Sequence, residues 1–191
     1  MNERTALKIG ALLLGYPDPA RLRAVAEALP NLPDLSGREP LRQFLAAAQA
    51  LPPTEAEARY VETFDFREEL SLYLTFQELG DGRDRAQELL SLKEELRRGG
   101  FECPEEELPD YLPLMLEFLA ERPPECEDRG LSLRVARALR GIAGRMDPQA
   151  LYLPLLQAIL VALPAVAEGD EPEAPRGDEE DRTLPYPVRY L

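Results

Sequence analysis

The feature that most constrains this chain is its punctuation. Nineteen prolines break it into runs whose apolar residues recur every three or four positions. That interval lays a single apolar stripe along a helix, and proline opens or ends a helix because it lacks an N–H and its ring clashes with the preceding turn. Leu7, Ala11 and Leu14 form a first stripe, ended by Gly15-Tyr16-Pro17. Asp18 reads as an N-cap, with Pro19 at the first helical position. Leu22, Val25, Ala26 and Leu29 make a second stripe, stopped by Pro30. Leu41, Phe44, Leu45, Ala48 and Leu51 make a third, ended by Pro52-Pro53. Thr54, with Glu57 three residues on, has the spacing of a capping box and opens a helix carrying Tyr60, Val61 and Phe64. A polar break from Asp65 to Glu69 leads to a short apolar segment, Leu70 to Phe76. Gly80-Asp81-Gly82 forms a turn, after which Asp81 caps a long helix from about Arg83 to Arg98. Its predicted apolar face holds Ala86, Leu89, Leu90 and Leu96, and Gly99-Gly100 closes it.

Two prolines compete to start the next helix. If Pro109 stood first, Pro113 would fall in the interior, which costs about 3 kcal/mol. With Asp110 as the cap, Pro113 is the third helical residue, where an N–H is unpaired in any case. The spacing therefore predicts Asp110 as N-cap of a helix running through Leu116 and Leu119 to about Ala120. Pro123-Pro124 mark a linker. Leu131 or Ser132 begins another helix, with Val135, Leu139, Ile142 and Met146 in register. Asp147-Pro148 repeats the cap-and-proline signal, and Pro148 to Leu163 is apolar on nearly every side, as expected of a buried central helix kinked at Pro154. No alternating strand pattern appears, and Leu and Ala dominate over Val and Ile. The expected fold is all-α: a single-domain helical bundle over residues 1–164 with a kinked, buried C-terminal helix. Residues 165–191 carry eight acids against three bases and several prolines, so they read as a disordered acidic tail. Its last segment, Leu184 to Leu191, is apolar again and either docks as a strap or frays.

The formal net charge is −14. Such a surface repels phosphate backbones, which excludes nucleic acid as a partner, and it steers basic peptides inward. Histidine is absent, which removes the commonest general base and metal ligand. No GxxxxGK[ST] phosphate loop and no GxGxxG after a strand occurs. Cys103 and Cys126 form no CxxC pair and are expected as free thiols in loops. The run from Ile9 to Leu14 is too short for a signal peptide, and nothing reaches the roughly 18 apolar residues of a membrane span. These observations predict a cytoplasmic protein that is not an enzyme and carries no cofactor or metal of its own.

Two ordered blocks add to this. The first is Tyr60-Val61-Glu62-Thr63-Phe64-Asp65-Phe66, then Ser71-Leu72-Tyr73-Leu74-Thr75, then Gly80-Asp81-Gly82-Arg83-Asp84-Arg85. The second is Glu107-Leu108-Pro109-Asp110-Tyr111-Leu112-Pro113, then Leu116-Glu117-Phe118-Leu119. Together they resemble the NarJ branch of the redox-enzyme maturation chaperones, whose relatives include TorD and DmsD. One departure stands out: the wider family often has Pro-Asp-His where this chain has Pro109-Asp110-Tyr111. The resemblance implies a dedicated assembly factor that binds the N-terminal, signal-like segment of an apo nitrate reductase alpha subunit. It would hold that subunit while molybdenum cofactor is inserted and delay its docking to the membrane. Molybdenum cofactor biosynthesis proteins would be further partners. Two rival readings are a helical nucleotide or small-molecule binder and a permanent subunit of a redox complex.

The candidate contact residues follow from these blocks. Asp81, Arg83 and Arg85 make a polar cluster that either faces a partner or is a helix start with solvated arginines. Asp110 and Glu117 lie seven residues apart, so they would share a helix face and could clasp a guest arginine, or form a plain surface stripe. Tyr60, Phe64, Tyr73, Phe76 and Tyr111, with Thr75 beside them, either fill the core or wall a peptide groove.

Overall fold

The computed structural model describes residues 3–32, 37–80, 82, 84–104, 106–123 and 129–166. Asp81, Arg83, Cys126 and the acidic tail from residue 167 onward lie outside these described residues. The apolar intervals fold into α1 (Glu3–Leu14), α2 (Pro19–Ala28), α3 (Arg38–Gln49), α4 (Pro53–Tyr60), α5 (Leu74–Leu79), α6 (Asp84–Arg98), α7 (Leu112–Glu121), α8 (Arg129–Arg145) and α9 (Leu153–Leu160). Among the described residues the nearest thing to a sheet is one isolated antiparallel bridge, Tyr73 to Tyr111. The architecture is therefore the all-α single-domain bundle that the periodicity predicts.

The buried residues form one continuous cluster, from Ala6 in α1 to Val166 beyond α9. Its centre is α7, where Leu112, Met115 and Leu116 have no exposed surface. That helix lies against α1 on one side and α8 on the other, while α9 is wedged among α1, α3 and α8. Val135, Ala136, Ala138, Leu139 and Ile142 of α8 are likewise sealed. Burying one such Leu or Ile stabilises the fold by roughly 1.5–3 kcal/mol. The α1–α9 crossing needs a residue without a side chain, since a Cβ at Gly10 would sit 2.6 Å from Cγ1 of Ile159. Polar ties close the far side. Arg134 of α8 donates to both carboxylate oxygens of Glu78 (2.9 and 2.6 Å) and to Glu88 (3.1 Å), joining α8 to α5 and α6.

Local chemistry explains where the elements start. Asp18 caps α2 as expected, accepting from the backbone N–H groups of Ala20 at 2.7 Å and Arg21 at 3.3 Å. Thr54 does not cap α4: the helix starts one residue earlier at Pro53, with Pro52 before it and no side-chain cap. Proline's fixed φ suits a first helical position, so the Pro-Pro pair opens the helix and displaces the threonine. After Tyr60 the chain widens into one π turn, Val61–Asp65, closed by Phe66 N–H to Val61 O at 3.1 Å. Three further expectations are corrected. Pro154 kinks nothing, because it stands in the first turn of a short α9, where its missing N–H has no partner to lose. The Asp147-Pro148 signal caps a turn instead, with Gln149 N–H on the Asp147 carboxylate at 2.7 Å. On α6 the buried residues are Leu92 and Leu96, whereas Leu90 is 71% exposed and Ala86 is also exposed. The inward face continues through Leu89 and Arg85 at steps of three and four, so Leu92 belongs to it and Leu90 does not.

The glycines of the bundle give a paired test. Gly10→Val forces a branched side chain into Ile159 and should destabilise the protein by about 1–3 kcal/mol. Gly144→Ala, in α8 where a Cβ would meet nothing, should stabilise it by about 0.4–1 kcal/mol. Urea denaturation of the two variants and the parent checks both signs.

Candidate functional site

The site is framed by two chain segments far apart in sequence. Leu74 N–H donates to Asp110 O at 2.8 Å, and Leu112 N–H donates to Leu72 O at 2.8 Å. These bonds flank the Tyr73–Tyr111 bridge and make it a non-hydrogen-bonded antiparallel pair, the kind in which opposing side chains approach most closely. Their rings lie 5.5 Å apart. Beneath the bridge, Asp110 is fully buried. It is not the cap of α7, which starts at Leu112 after Tyr111 and has no side-chain cap. Its carboxylate instead accepts from Thr75 N–H at 3.2 Å and from Thr75 Oγ1 at 2.5 Å. Thr75 is the second residue of α5, whose own N-cap position is held by Tyr73, a residue that cannot cap. Asp110 thus caps α5 from across the molecule. Its charge faces Arg85 at 3.7 Å, and Arg85 also donates to Thr75 Oγ1 at 3.1 Å and lies 5.6 Å from the centre of the Phe76 ring.

Above this girder three concavities meet at Tyr16, which is 53% exposed. One is an apolar cleft between the α1–α2 corner, α3 and α4, floored by Phe44 and Tyr152, with about 950 Å³ of empty space including its mouth. The second is a pocket of about 540 Å³ walled by Tyr16, Tyr60, Phe64, Tyr73 and Tyr111, with Asp65 and Glu107. The third is a broad trough of about 1260 Å³ over α1 and α7, where Leu12 and Leu114 lie among Lys8, Glu106, Glu107 and Glu117. Tyr16, Glu107 and Tyr111 line both pocket and trough, and Leu12 lines both trough and cleft. The three therefore form one aromatic groove with acidic edges.

The groove is pre-shaped by its own rings. Tyr16 meets Tyr60 edge-on at 5.5 Å, and Tyr60 and Phe64 rest on Tyr152 at 5.9 and 4.9 Å. The Tyr60 and Tyr111 hydroxyls share a hydrogen bond of 2.9 Å. Burial holds these phenols in the neutral form. It pushes Tyr60 and Tyr152 well above the ordinary tyrosine range and raises Tyr111 as well. Tyr73 is pushed up to about 12, first by burial and then by the negative charge of Glu107. Lys8 and Glu121 pair across α1 and α7 at the trough's edge.

The predicted contact residues thus separate into two sets. Tyr60, Phe64, Tyr73, Tyr111 and Glu117 line the groove. Thr75, Arg85 and Asp110 form the girder beneath it. The idea that Asp110 and Glu117 share a face and clasp a guest arginine is corrected: Asp110 precedes the helix, is sealed from solvent, and already faces an arginine of its own chain. Phe76 is buried rather than part of the wall. Tyr16, Leu12, Asp65 and Glu107 were not singled out from the sequence. The Gly15-Tyr16-Pro17 motif signals a helix stop, yet the same sharp corner is what presents an exposed aromatic ring. Among the described residues no cluster of His, Cys, Asp and Glu is arranged to hold a metal ion.

A protein-family profile described as the nitrate reductase delta subunit matches residues 30–143. The chain is 36% identical to the probable nitrate reductase molybdenum cofactor assembly chaperone NarJ of Bacillus subtilis, over 79% of this chain and 84% of that protein. It is 32% identical to the nitrate reductase molybdenum cofactor assembly chaperone NarJ of Escherichia coli, over 92% of this chain and 76% of that protein. It is also 36% identical to the nitrate reductase-like protein NarX of Mycobacterium tuberculosis over 64% of this chain, a stretch that makes up 19% of that longer protein.

Two outcomes follow from the girder and the rings. Asp110→Ala removes the counter-charge facing Arg85 and uncaps α5, and should cost about 3 kcal/mol of stability, with Asp110→Asn losing less because its carbonyl still accepts from Thr75; chemical denaturation measures both. The Tyr73 phenol ionises less readily folded than unfolded, so its contribution is complete below the unfolded value of about 10 and disappears as pH rises through about 12. Absorbance at 295 nm should therefore show buried tyrosines ionising together with the loss of far-UV ellipticity, above about pH 10. A complete tyrosine titration that leaves the helices intact would contradict the buried cluster.

Proposed function

Starting from the fact that this chain belongs to the nitrate reductase delta subunit family, we propose that it is an assembly chaperone for the catalytic alpha subunit of a nitrate reductase, and not an enzyme. It holds the N-terminal segment of the apo subunit in the aromatic groove while molybdenum cofactor is inserted, then lets go and takes no place in the finished complex. Molybdenum cofactor biosynthesis proteins would meet it at that stage. The work is done in the cytoplasm, and among the described residues no helix is long and apolar enough to cross a membrane.

The observation that carries this reading is the groove itself. Leu12 and Tyr16 stand 40% and 53% exposed where the three concavities meet, and carboxylates edge them on a chain of net charge −14. A basic, amphipathic segment has the complementary chemistry: its apolar face covers Leu12, Tyr16 and Leu114, and its positive charges meet Asp65, Glu106, Glu107 and Glu117. Apolar burial would supply most of the affinity, and the acidic field the encounter rate. Tyr60, Phe64, Tyr73, Tyr111 and Glu117 would be contacts. Thr75, Arg85 and Asp110 would act by keeping Tyr73 and Tyr111 in place.

Calorimetry with the full chain and a peptide spanning the N-terminus of a nitrate reductase alpha subunit from the same organism tests the proposal. Micromolar or tighter binding is expected at low salt, weakening as salt is added. Leu12→Glu, at a half-exposed surface position, should weaken it at least about tenfold without lowering the thermal midpoint. No binding at low salt, or stoichiometric co-purification with the mature enzyme, overturns the reading.

A further inference from the structure

We propose that the pocket formed by Tyr16, Tyr60, Tyr73 and Tyr111 with Asp65 and Glu107 is a receptor for one guanidinium group, supplied by an arginine side chain of the bound segment. The identity of that segment rests on the preceding reading; the chemistry of the pocket does not.

Four tyrosines and two carboxylates line this pocket, and no lysine or arginine is among its walls. The trough beside it differs, since Lys8 and Arg21 line it among its acids, and Arg21 pairs with Asp18 of the cleft at 3.1 Å. The two tyrosine pairs are tied to each other: Tyr16 to Tyr60 edge-on at 5.5 Å, Tyr73 to Tyr111 at 5.5 Å, and Tyr60 to Tyr111 through their hydroxyls at 2.9 Å. The walls are therefore set before a guest arrives. Glu107 is aimed as well. Its Oε1 accepts from Leu108 N–H at 3.1 Å and from Tyr73 OH at 3.4 Å, which leaves Oε2 for a guest. The neutral phenols add no negative charge, so the pocket's field comes from the two carboxylates and from the π faces.

This donor set selects among guests. An anion meets two carboxylates and is repelled. An apolar side chain would cover Glu107 and Asp65 without giving them a partner, which is unfavourable. A cation gains from both the ring faces and the acids. Arginine fits better than lysine because its planar guanidinium lies flat on a ring while its N–H fork reaches a carboxylate, and it is less strongly hydrated than an ammonium. The pocket also opens where it must. Tyr16, Tyr111 and Glu107 are shared with the trough, so a segment lying there can drop one side chain into the cage.

Nuclear magnetic resonance of the full chain, with its tyrosine rings labelled with carbon-13, tests this with N-acetyl-arginine amide as the probe and N-acetyl-citrulline amide, equal in shape but uncharged, as the control. Saturable ring shifts with arginine and none with citrulline are expected, weakened about tenfold by Glu107→Gln and by Asp65→Asn, the latter at an exposed site that carries no packing. Equal shifts from citrulline, or none from arginine, overturn the proposal. A second arm uses the alpha-subunit peptide with each arginine replaced singly by citrulline. Loss of affinity at one position supports the cage. A peptide that binds equally well in every citrulline form overturns the cage and leaves the chaperone reading standing. Arginine binding without any peptide binding supports the cage and removes the assigned partner.

Discussion

Asp110 has no exposed surface, and a carboxylate in that position must be hydrogen-bonded and charge-compensated or it would cost several kcal/mol. Thr75 donates two hydrogen bonds to its Oδ2 and Arg85 stands 3.7 Å from the same oxygen as counter-charge, and neither residue is close to it in the chain. One side chain thereby ties the start of α5, the start of α7 and the first turns of α6. The bridge between Leu72–Leu74 and Asp110–Leu112 lies directly above it. Everything the groove presents from that side, Tyr73 and Tyr111 above all, stands where it does because this buried contact holds two otherwise independent segments in one register.

The rest of the groove exists because its walls cannot close on themselves. Tyr60, Tyr111 and Tyr152 bury ring area as phenylalanines would, but their hydroxyls need partners. Tyr60 and Tyr111 satisfy each other at 2.9 Å, which stiffens the wall without filling the space in front of it. At the corner, where Gly15 and Pro17 flank it, the Tyr16 ring stands 53% exposed. The outcome is apolar surface held open beside a close-packed core. A patch of that kind on a monomer marks a binding surface more often than an error of packing.

Much of this was legible in the sequence, and the parts that were not share a cause. The stripes of α1, α3 and α8 and the Asp18 cap follow from intervals of three and four residues, so Leu41, Phe44, Leu45, Val135, Leu139 and Ile142 are buried where the pattern puts them. The sequence points to the aromatics of the groove and leaves core packing as the open alternative, and the structure shows both: Tyr60 and Phe64 are 5% exposed and still form its walls. What the pattern missed depends on distant partners. Asp110 looks like a local cap because aspartate before a proline-bearing helix usually is one; its real partner lies 35 residues away. Leu90 and Leu92 differ only in which side of α6 faces the bundle, and Leu92 shares that side with Arg85, whose partners Thr75 and Asp110 are distant in the chain. Pro154 looks like a kink only if the helix before it is assumed. Glu107 and Tyr16 carry no local signal of binding, because their significance is that three separate turns bring them to one opening.

The residue at position 111 decides how such a groove responds to its surroundings. An imidazole there would change charge between pH 5 and 8, adding a positive centre beside Glu107 at the acid end of that range. A phenol whose ionisation is pushed upward by burial stays neutral throughout it. The carboxylates of Asp65 and Glu107 therefore face the opening without a titrating neighbour on the opposite wall, and the field at the pocket is constant wherever those carboxylates are ionised. What then governs access is ionic strength: at about 0.15 M the Debye length is close to 8 Å, long enough to act across the mouth of the groove and too short to reach around the bundle. The net charge of the chain as a whole can speed the approach of a basic segment, but only the acids at the opening select where it settles.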